Sequence, residues 1–195
     1  GASSTCPVAI KMLTCFELTP DVVDSFFQEA SVLYEHSNHP HIVRCYGITV
    51  APPTMCIVLE CCDGDLTELL SKRGSKRERD EERSSSRVTT NELTQFLSEA
   101  IQCATAVAYL HSQSPPILHR DIKSSNFLLS SSGKLKLGDL GLAKMTEMTT
   151  ETKTMTTTTT AAADSSISSP RGEYTLAWAA PELIAGGHAT KCSDV

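Results

Sequence analysis

Residues 117–126 place three side chains suited to phosphate chemistry on one short polar loop between apolar runs, in the sequence Ile-Leu-His-Arg-Asp-Ile-Lys-Ser-Ser-Asn. Asp121 can accept a proton from a hydroxyl group, and Lys123 can neutralise a phosphate oxygen. Asn126 can ligate a cation through its amide oxygen. Because phosphoryl transfer asks a protein mainly for positioning and charge neutralisation, the loop predicts a phosphoryl-transfer site.

Three further motifs accompany this loop along the chain. The sequence Val-Ala-Ile-Lys ends at Lys11, Gly-Asp-Leu-Gly contains Asp139, and Ala-Pro-Glu ends at Glu182. One such tetrapeptide would be weak support for any function, but four motifs in a family's order, with helical patterns between them, are specific. From about residue 8 to residue 195, the chain resembles a eukaryotic-type protein kinase catalytic domain of the serine/threonine or tyrosine-kinase-like group.

The resemblance implies an α+β, two-lobed fold, with an antiparallel sheet and one helix in the small lobe and a mainly helical large lobe. We expect residues 1–62 to form part of the small lobe with the link between lobes, and residues 63–195 to form part of the large lobe. Two insertions should be solvated or disordered, because their compositions bury little apolar surface. These are the charged residues 72–87 and the Thr/Ser-rich residues 145–173 of the activation loop.

Periodicity and cap residues predict the individual elements. The predicted strands are residues 8–13, 42–50, 55–61, 127–129 and 135–137. The predicted helices begin at Pro20 behind a Thr19 cap, at residue 66, and after the capping box of Thr89 and Glu92. The first helix carries Glu29, the second is short and ends near residue 70, and the third ends near His111.

The resemblance assigns the catalytic roles. Lys11 matches the strand lysine that contacts the α- and β-phosphates, and Glu29 matches the helix glutamate that pairs with it. Asp121 matches the catalytic base that orients the acceptor hydroxyl group and takes its proton. Lys123 and Thr175 match residues on the acceptor side of that base. A lysine at position 123 favours a Ser/Thr protein substrate.

The resemblance also implies ATP as the nucleotide and Mg²⁺ as the metal. Asn126 and Asp139 match the magnesium ligands, which are hard oxygen donors. The backbone of Glu60 and Cys62 should bond the adenine edge, with Leu59 at the back of the pocket. The complete expected nucleotide-binding set is Ala9, Lys11, Leu59, Glu60, Cys62 and Leu128.

Several other matches are structural. His119 and Leu140 should pack with Leu33 and Cys45, and Leu140 replaces the Phe that is usual in the family. Residues 117–126 match the catalytic loop of the family, and Asp194 should hold the backbone of this loop in place.

Arg120 suggests regulation by phosphorylation. In kinases with an arginine before the catalytic base, a phosphate on the loop between Asp139 and Glu182 often organises the site by pairing with it. Ser169, which precedes a proline, is a candidate acceptor, and an upstream kinase would then be a partner. For most hydroxyl groups of that loop, plain solvation is the simpler reading.

Composition limits the partners. A net charge of −6 and an isoelectric point near 5.5 argue against general affinity for nucleic acid or anionic membranes. No apolar run approaches the roughly 18 residues of a membrane span, and a cytoplasmic location is expected. All eight cysteines should be free thiols, because a kinase works where thiols stay reduced.

Two rival functions remain open. A pseudokinase or nucleotide-binding scaffold is favoured by the missing Gly-rich loop, which in the family precedes the strand lysine, and by the missing helices after residue 195. We therefore expect a domain truncated at both ends, with weak or no turnover by itself. A small-molecule phosphotransferase is disfavoured by Lys123, Thr175 and the Ala-Pro-Glu motif, which serve a protein acceptor.

Overall fold

The computed structural model describes residues 6–13, 19–51, 54–81, 89–145 and 175–195. Within these ranges the fold is α+β, as expected, with four α-helices and an antiparallel three-stranded sheet. The described cysteines are all free thiols, and Cys15 lies outside the described residues. No described helix combines the length and the apolar composition that crossing a membrane requires.

The small-lobe sheet consists of β1 (Val8–Leu13), β2 (Cys45–Ala51) and β3 (Thr54–Glu60), in the order β1-β3-β2. Lys11 stands opposite Ile57 in the antiparallel register. The second strand begins at Cys45 and not at residue 42, so the predicted boundary is wrong by three residues. The reason is tertiary, because Ile42 instead forms a parallel bridge with Leu137 of the large lobe.

Helix α1 (Pro20–His36) begins where the sequence predicts. The Thr19 hydroxyl accepts a hydrogen bond from Val22 N at 3.4 Å, and Pro20 occupies the first helical turn, where its missing N–H has no partner to lose. The helix buries Phe26, Ala30, Val32 and Leu33. Burying a side chain of the size of leucine or phenylalanine contributes about 1.5–3 kcal/mol, so packing fixes the helix.

The large lobe is built around two long helices and several short strands. Its elements are β4 (Gly64–Asp65), α2 (Leu66–Glu81), α3 (Thr90–His111), β5 (Ile117–Leu118), β6 (Phe127–Leu129), β7 (Leu135–Leu137), β8 (Lys144–Met145) and α4 (Pro181–Ile184). Strands β6 and β7 form the predicted hairpin, and β4 pairs with β6. The capping box of Thr89 and Glu92 is present at the start of α3.

Helix α2 corrects the expectation that the charged insertion is disordered. The helix continues to Glu81, so disorder is wrong over residues 72–81, although Lys72, Gly74 and Ser75 are exposed to solvent. Two N–H groups of Arg73 donate to the two carboxylate oxygens of Glu99 at 2.7 and 2.6 Å, which ties α2 to α3. Residues 82–88 lie outside the described ranges. So do residues 146–174, which include Ser169 and nearly all of the Thr/Ser-rich insertion.

One hydrophobic core joins the two lobes. Leu33, Cys45 and Leu140 are buried in the same cluster, as the resemblance implies. His119 is also fully buried. Leu140 directly follows Asp139, and Leu33 shares a helix with Glu29. The packing of Leu33 and Leu140 in one core therefore keeps the candidate site residues Glu29 and Asp139 close together.

Candidate active site

The catalytic loop runs from β5 to a short 3₁₀ helix, Ser124–Asn126, that leads into β6. Asp194 clamps its backbone. The Asp194 carboxylate accepts hydrogen bonds from His119 N at 2.8 Å and Arg120 N at 2.7 Å, and from His111 Nε2 at 2.9 Å. Arg120 has a positive φ of 68°, a sparsely populated conformation for a non-glycine residue. The hydrogen bonds to Asp194 therefore stabilise a backbone conformation at Arg120 that is otherwise unfavourable.

Asp121 is buried, and side chains surround both of its carboxylate oxygens. Thr175 Oγ1 donates to Oδ1 at 2.6 Å, and Asn126 Nδ2 donates to Oδ2 at 3.0 Å. Lys123 Nζ lies 2.5 Å from Oδ2 and also donates to Thr175 Oγ1 at 2.7 Å. Burial raises the pKa of Asp121, but the contacts with Lys123, Thr175 and Asn126 outweigh it and hold the pKa below its ordinary value. Asp121 is therefore an ionised carboxylate at neutral pH.

Asn126 links this carboxylate to the segment after β7 that carries Asp139. Its amide nitrogen donates to Asp121 O at 2.8 Å as well as to the carboxylate, which leaves the amide oxygen as the acceptor end. Its main-chain oxygen accepts from Gly138 N at 2.9 Å. Asn126 and Asp139 together offer one amide and one carboxylate oxygen, which are donors that suit Mg²⁺.

A second charged group consists of Lys11 in β1, Glu29 in α1 and Asp139, two residues after β7. Lys11 Nζ lies 2.6 Å from Glu29 Oε1 and 2.7 Å from Asp139 Oδ1. Burial lowers the pKa of Lys11, but the hydrogen bonds and charges of Asp139 and Glu29 more than offset it and raise the pKa above its ordinary value. The structure thus brings the predicted lysine and glutamate together, with the aspartate as a third partner.

Gly141 allows the close approach of these carboxylates. A Cβ atom at Gly141 would lie 3.2 Å from Glu29 Oε2 and 3.5 Å from Asp139 Oδ1. Asp139 itself adopts the left-handed conformation, with φ 55° and ψ 63°. This turn directs the chain from β7 past Glu29.

The residues expected to line a nucleotide pocket come from three strands and the link between lobes. Ala9 and Leu59 are cross-strand partners in β1 and β3, and Leu128 lies in β6. The N–H of Glu60 donates to Arg44 O at 2.8 Å, so only its carbonyl oxygen remains for an adenine edge. Burial, and then the charge of Glu60, raise the pKa of the Cys62 thiol to about 11. Cys62 is therefore a protonated thiol.

Comparison with known proteins decides the family. The model of the protein kinase domain matches residues 2–195. The chain belongs to the protein kinase domain family. Phosphoryl transfer to a protein is the chemistry of that family.

Curated relatives of this kinase domain include named serine/threonine kinases. The chain is 31% identical to Serine/threonine-protein kinase CTR1 of Arabidopsis thaliana over 96% of its length and 20% of that protein. It is 31% identical to Activated Cdc42 kinase Ack of Drosophila melanogaster, over 99% of its length and 15% of that protein. It is 30% identical to Mitogen-activated protein kinase kinase kinase 10 of Mus musculus, over 92% and 16%. The chain thus spans a fifth or less of each of these three relatives.

Among the contacts that the sequence did not predict, two lie beside the site residues. His111 bonds Asp194, and Lys136 bonds Glu60. The sequence signal for Lys136 was its place between Leu135 and Leu137, which marks a strand residue that faces away from the core. The pattern could not identify Glu60 as the partner of Lys136, because the two residues are 76 positions apart in the sequence.

Proposed function

We propose that this kinase domain transfers the γ-phosphoryl group of ATP to a serine or threonine hydroxyl group of a protein. The observation that carries the proposal is the arrangement around Asp121. The ionised, buried carboxylate lies 2.5 Å from the Lys123 ammonium group and 2.6 Å from the Thr175 hydroxyl group. Such a group can accept a proton while a neighbouring cation stabilises the charge that develops on phosphate.

Asp121 acts as the base of the reaction. The acceptor hydroxyl gives its proton to the carboxylate as its oxygen forms a bond to the γ-phosphorus. The bond between that phosphorus and the β,γ-bridging oxygen breaks, and ADP leaves with the electron pair. Lys123 holds Asp121 in the ionised form and supplies positive charge beside the transferred group. Thr175 fixes the orientation of both side chains.

Lys11 serves the nucleotide side. A long, flexible lysine must be held by opposite charge if it is to meet phosphate in a fixed pose, and Glu29 and Asp139 supply that charge. Ala9, Leu59 and Leu128 would contact the adenine ring. The Glu60 carbonyl and the Cys62 N–H would bond its edge.

Asn126 and Asp139 fit the magnesium site that kinases use. Bound Mg²⁺ would neutralise charge on the phosphates during transfer. The protein orients both donors before any ion arrives. Asp121 fixes the amide of Asn126, and Lys11 holds one oxygen of Asp139.

Serine/threonine specificity and regulation extend the proposal. The hydrogen bond from Lys123 to Thr175 supports a Ser/Thr acceptor, as does the similarity to CTR1, which is named a serine/threonine-protein kinase. We further propose that Arg120 receives a phosphate that an upstream kinase places on the activation loop, with Ser169 as a candidate acceptor. A cytoplasmic location completes this proposal.

Phosphate transfer to a mixture of casein and a Glu/Tyr copolymer tests the function. We expect the protein to label casein from γ-labelled ATP only when Mg²⁺ is present, and only on Ser and Thr. Asp121→Asn should lower the rate by a factor of about 10³. Asp24→Asn is the matched control, because Asp24 is exposed on α1. Equal transfer by wild type and Asp121→Asn would contradict the proposal, and nucleotide binding without transfer would favour the pseudokinase alternative.

A further inference from the structure

Lys136 and Glu60 form an ion pair between β7 and β3. Leu135 and Leu137 are buried on one face of β7, so Lys136 faces the other way. Its Nζ lies 2.6 Å from Glu60 Oε2, and the two side chains are only 16% and 21% exposed. Because Glu60 is the last residue of β3, the ion pair joins the small-lobe sheet to the hairpin of the large lobe.

The Glu60 carboxylate is also bonded to the backbone of Arg44, next to the small-lobe sheet. Arg44 N donates to Glu60 Oε2 at 3.2 Å, while Glu60 N donates to Arg44 O at 2.8 Å. A mostly buried ion pair is screened little by salt. Removing one partner leaves a partly desolvated charge uncompensated, which is costly. The contact therefore resists changes in the separation between β3 and β7.

Both residues adjoin positions proposed to hold nucleotide. Lys136 stands opposite Leu128 in the β6–β7 register, and Gly138 and Asp139 directly follow β7. Glu60 follows Leu59 and precedes the link to the large lobe. That link is tied to the same hairpin, because Asp63 N donates to Leu129 O at 2.8 Å. The separation between β3 and the hairpin therefore sets the width of the proposed adenine pocket.

We propose that Glu60 and Lys136 are positioning residues whose ion pair fixes the separation between β3 and the β6–β7 hairpin, and thereby the affinity for nucleotide. This inference rests on the proposed function, since it assigns a role in binding ATP. The Lys136 side chain lies on the far side of β7 from the core and acts on nucleotide through Leu128 and Asp139. A loss of the ion pair should therefore raise the KM for ATP and leave kcat nearly unchanged.

Steady-state kinetics of the full-length protein test the inference. Lys136→Met keeps the length of the side chain and removes its charge, and we expect the KM for ATP to rise about fivefold with kcat within about twofold. Glu60→Gln should have the same effect. The double variant should raise the KM no more than either single variant, because each removes the same contact. Lys134→Met is the matched control, since Lys134 is exposed in the turn of the same hairpin.

The outcomes separate this inference from the proposed function. A wild-type protein without phosphate transfer defeats the proposed function. An active wild type whose KM for ATP is unchanged in Lys136→Met overturns the inference, even if the melting temperature falls, because that pattern shows a purely structural contact. Additive effects in the double variant overturn it as well. Lys136→Arg, which keeps the charge, should fold and hold the KM within about twofold, and a fivefold rise in that variant contradicts the proposal.

Discussion

The two charged groups of this site are held in different ways. Asp121, Lys123 and Asn126 share one loop, and Asp121 is only 7% exposed. Lys11, Glu29 and Asp139 come from three separate elements, and the side chains of Lys11 and Asp139 are 42% and 51% exposed. Asp194 clamps the first group through the backbone of its loop. The second group is joined across the lobes by ion pairs between side chains.

The difference separates a rigid part of the site from an adjustable part. Buried hydrogen bonds to a carboxylate stabilise strongly, and a lost partner leaves a desolvated charge. Exposed ion pairs contribute little, because water screens them. We infer that the acceptor side around Asp121 is built before substrate arrives. The nucleotide side around Lys11 can exchange its ion pairs for phosphate and metal at small cost.

The largest expected effect is at the clamp. Asp194→Ala removes the acceptor of two backbone N–H groups and of His111 at once, so the free energy of unfolding should fall by about 3 kcal/mol. Asp65→Ala is the control, because the Asp65 side chain caps α2 by accepting from Glu68 N at 3.0 Å, and its loss should cost about 1 kcal/mol. Urea denaturation of the full-length proteins measures both. Equal losses in the two variants would show that Asp194 stabilises the catalytic loop no more than an ordinary cap stabilises a helix.

A second prediction concerns the pH dependence of the acceptor side. Lys123→Met removes a cation that lowers the pKa of Asp121, so that pKa should rise. In the proposed function Asp121 is the base and works only when ionised, so activity is lost as the pH falls through its pKa. The acid limb of the profile of kcat/KM against pH should therefore move to higher pH. An unshifted acid limb, with Lys134→Met as the reference, would show that Asp121 is not the titrating group.

Lys11→Met should lower the rate of phosphate transfer strongly while it changes the free energy of unfolding little. Lys11 and Asp139 are 42% and 51% exposed, and only Glu29, at 12%, is mostly buried. The free energy of unfolding should therefore change by less than about 1 kcal/mol. Phosphate transfer should nevertheless fall by a factor of at least about 100, since we propose that the lysine positions the phosphates. Denaturation and transfer rates of the same preparation measure the two effects. A loss of stability as large as that of Asp194→Ala would show that the ion pairs of Lys11 contribute as much to the free energy of unfolding as the contacts of Asp194.

The smallest expected effect is at Gly141. In Gly141→Ala the new methyl group would meet Glu29 Oε2 at 3.2 Å, and a flexible carboxylate can move by a few tenths of an ångström. The KM for ATP should rise about twofold, with stability unchanged within about 0.5 kcal/mol. Gly74→Ala is the control, because it lies in α2 with open space around it. A KM that is equal in both variants would show that Glu29 tolerates displacement.

Local signals in the sequence were enough for the elements that carry the site. The capping box of Thr89 and Glu92 and the Thr19-Pro20 start act within one turn, so they could be read without the fold. The Lys11–Glu29 contact could be proposed only through resemblance to kinases, because 18 residues separate the two partners. The structure then supplied its geometry.

Long-range contacts explain what the sequence did not predict. Arg73 pairs with Glu99 across 26 residues and supports a helix where composition favoured disorder. Ile42 bridges Leu137 and so leaves its predicted strand. The Glu60–Lys136 pair likewise depends on how two lobes meet. In each case a charged or apolar residue was visible in the sequence, but its partner was set by tertiary packing.

Hydrogen exchange of the full-length protein tests the contrast between the two groups most directly. Amide exchange should be slow at residues 118–126 without nucleotide and should change little when ATP and Mg²⁺ are added. Amides of β1 and α1 around Lys11 and Glu29 should gain protection on the same addition. A gain in the catalytic loop as large as that in β1 and α1 would contradict a preformed acceptor side.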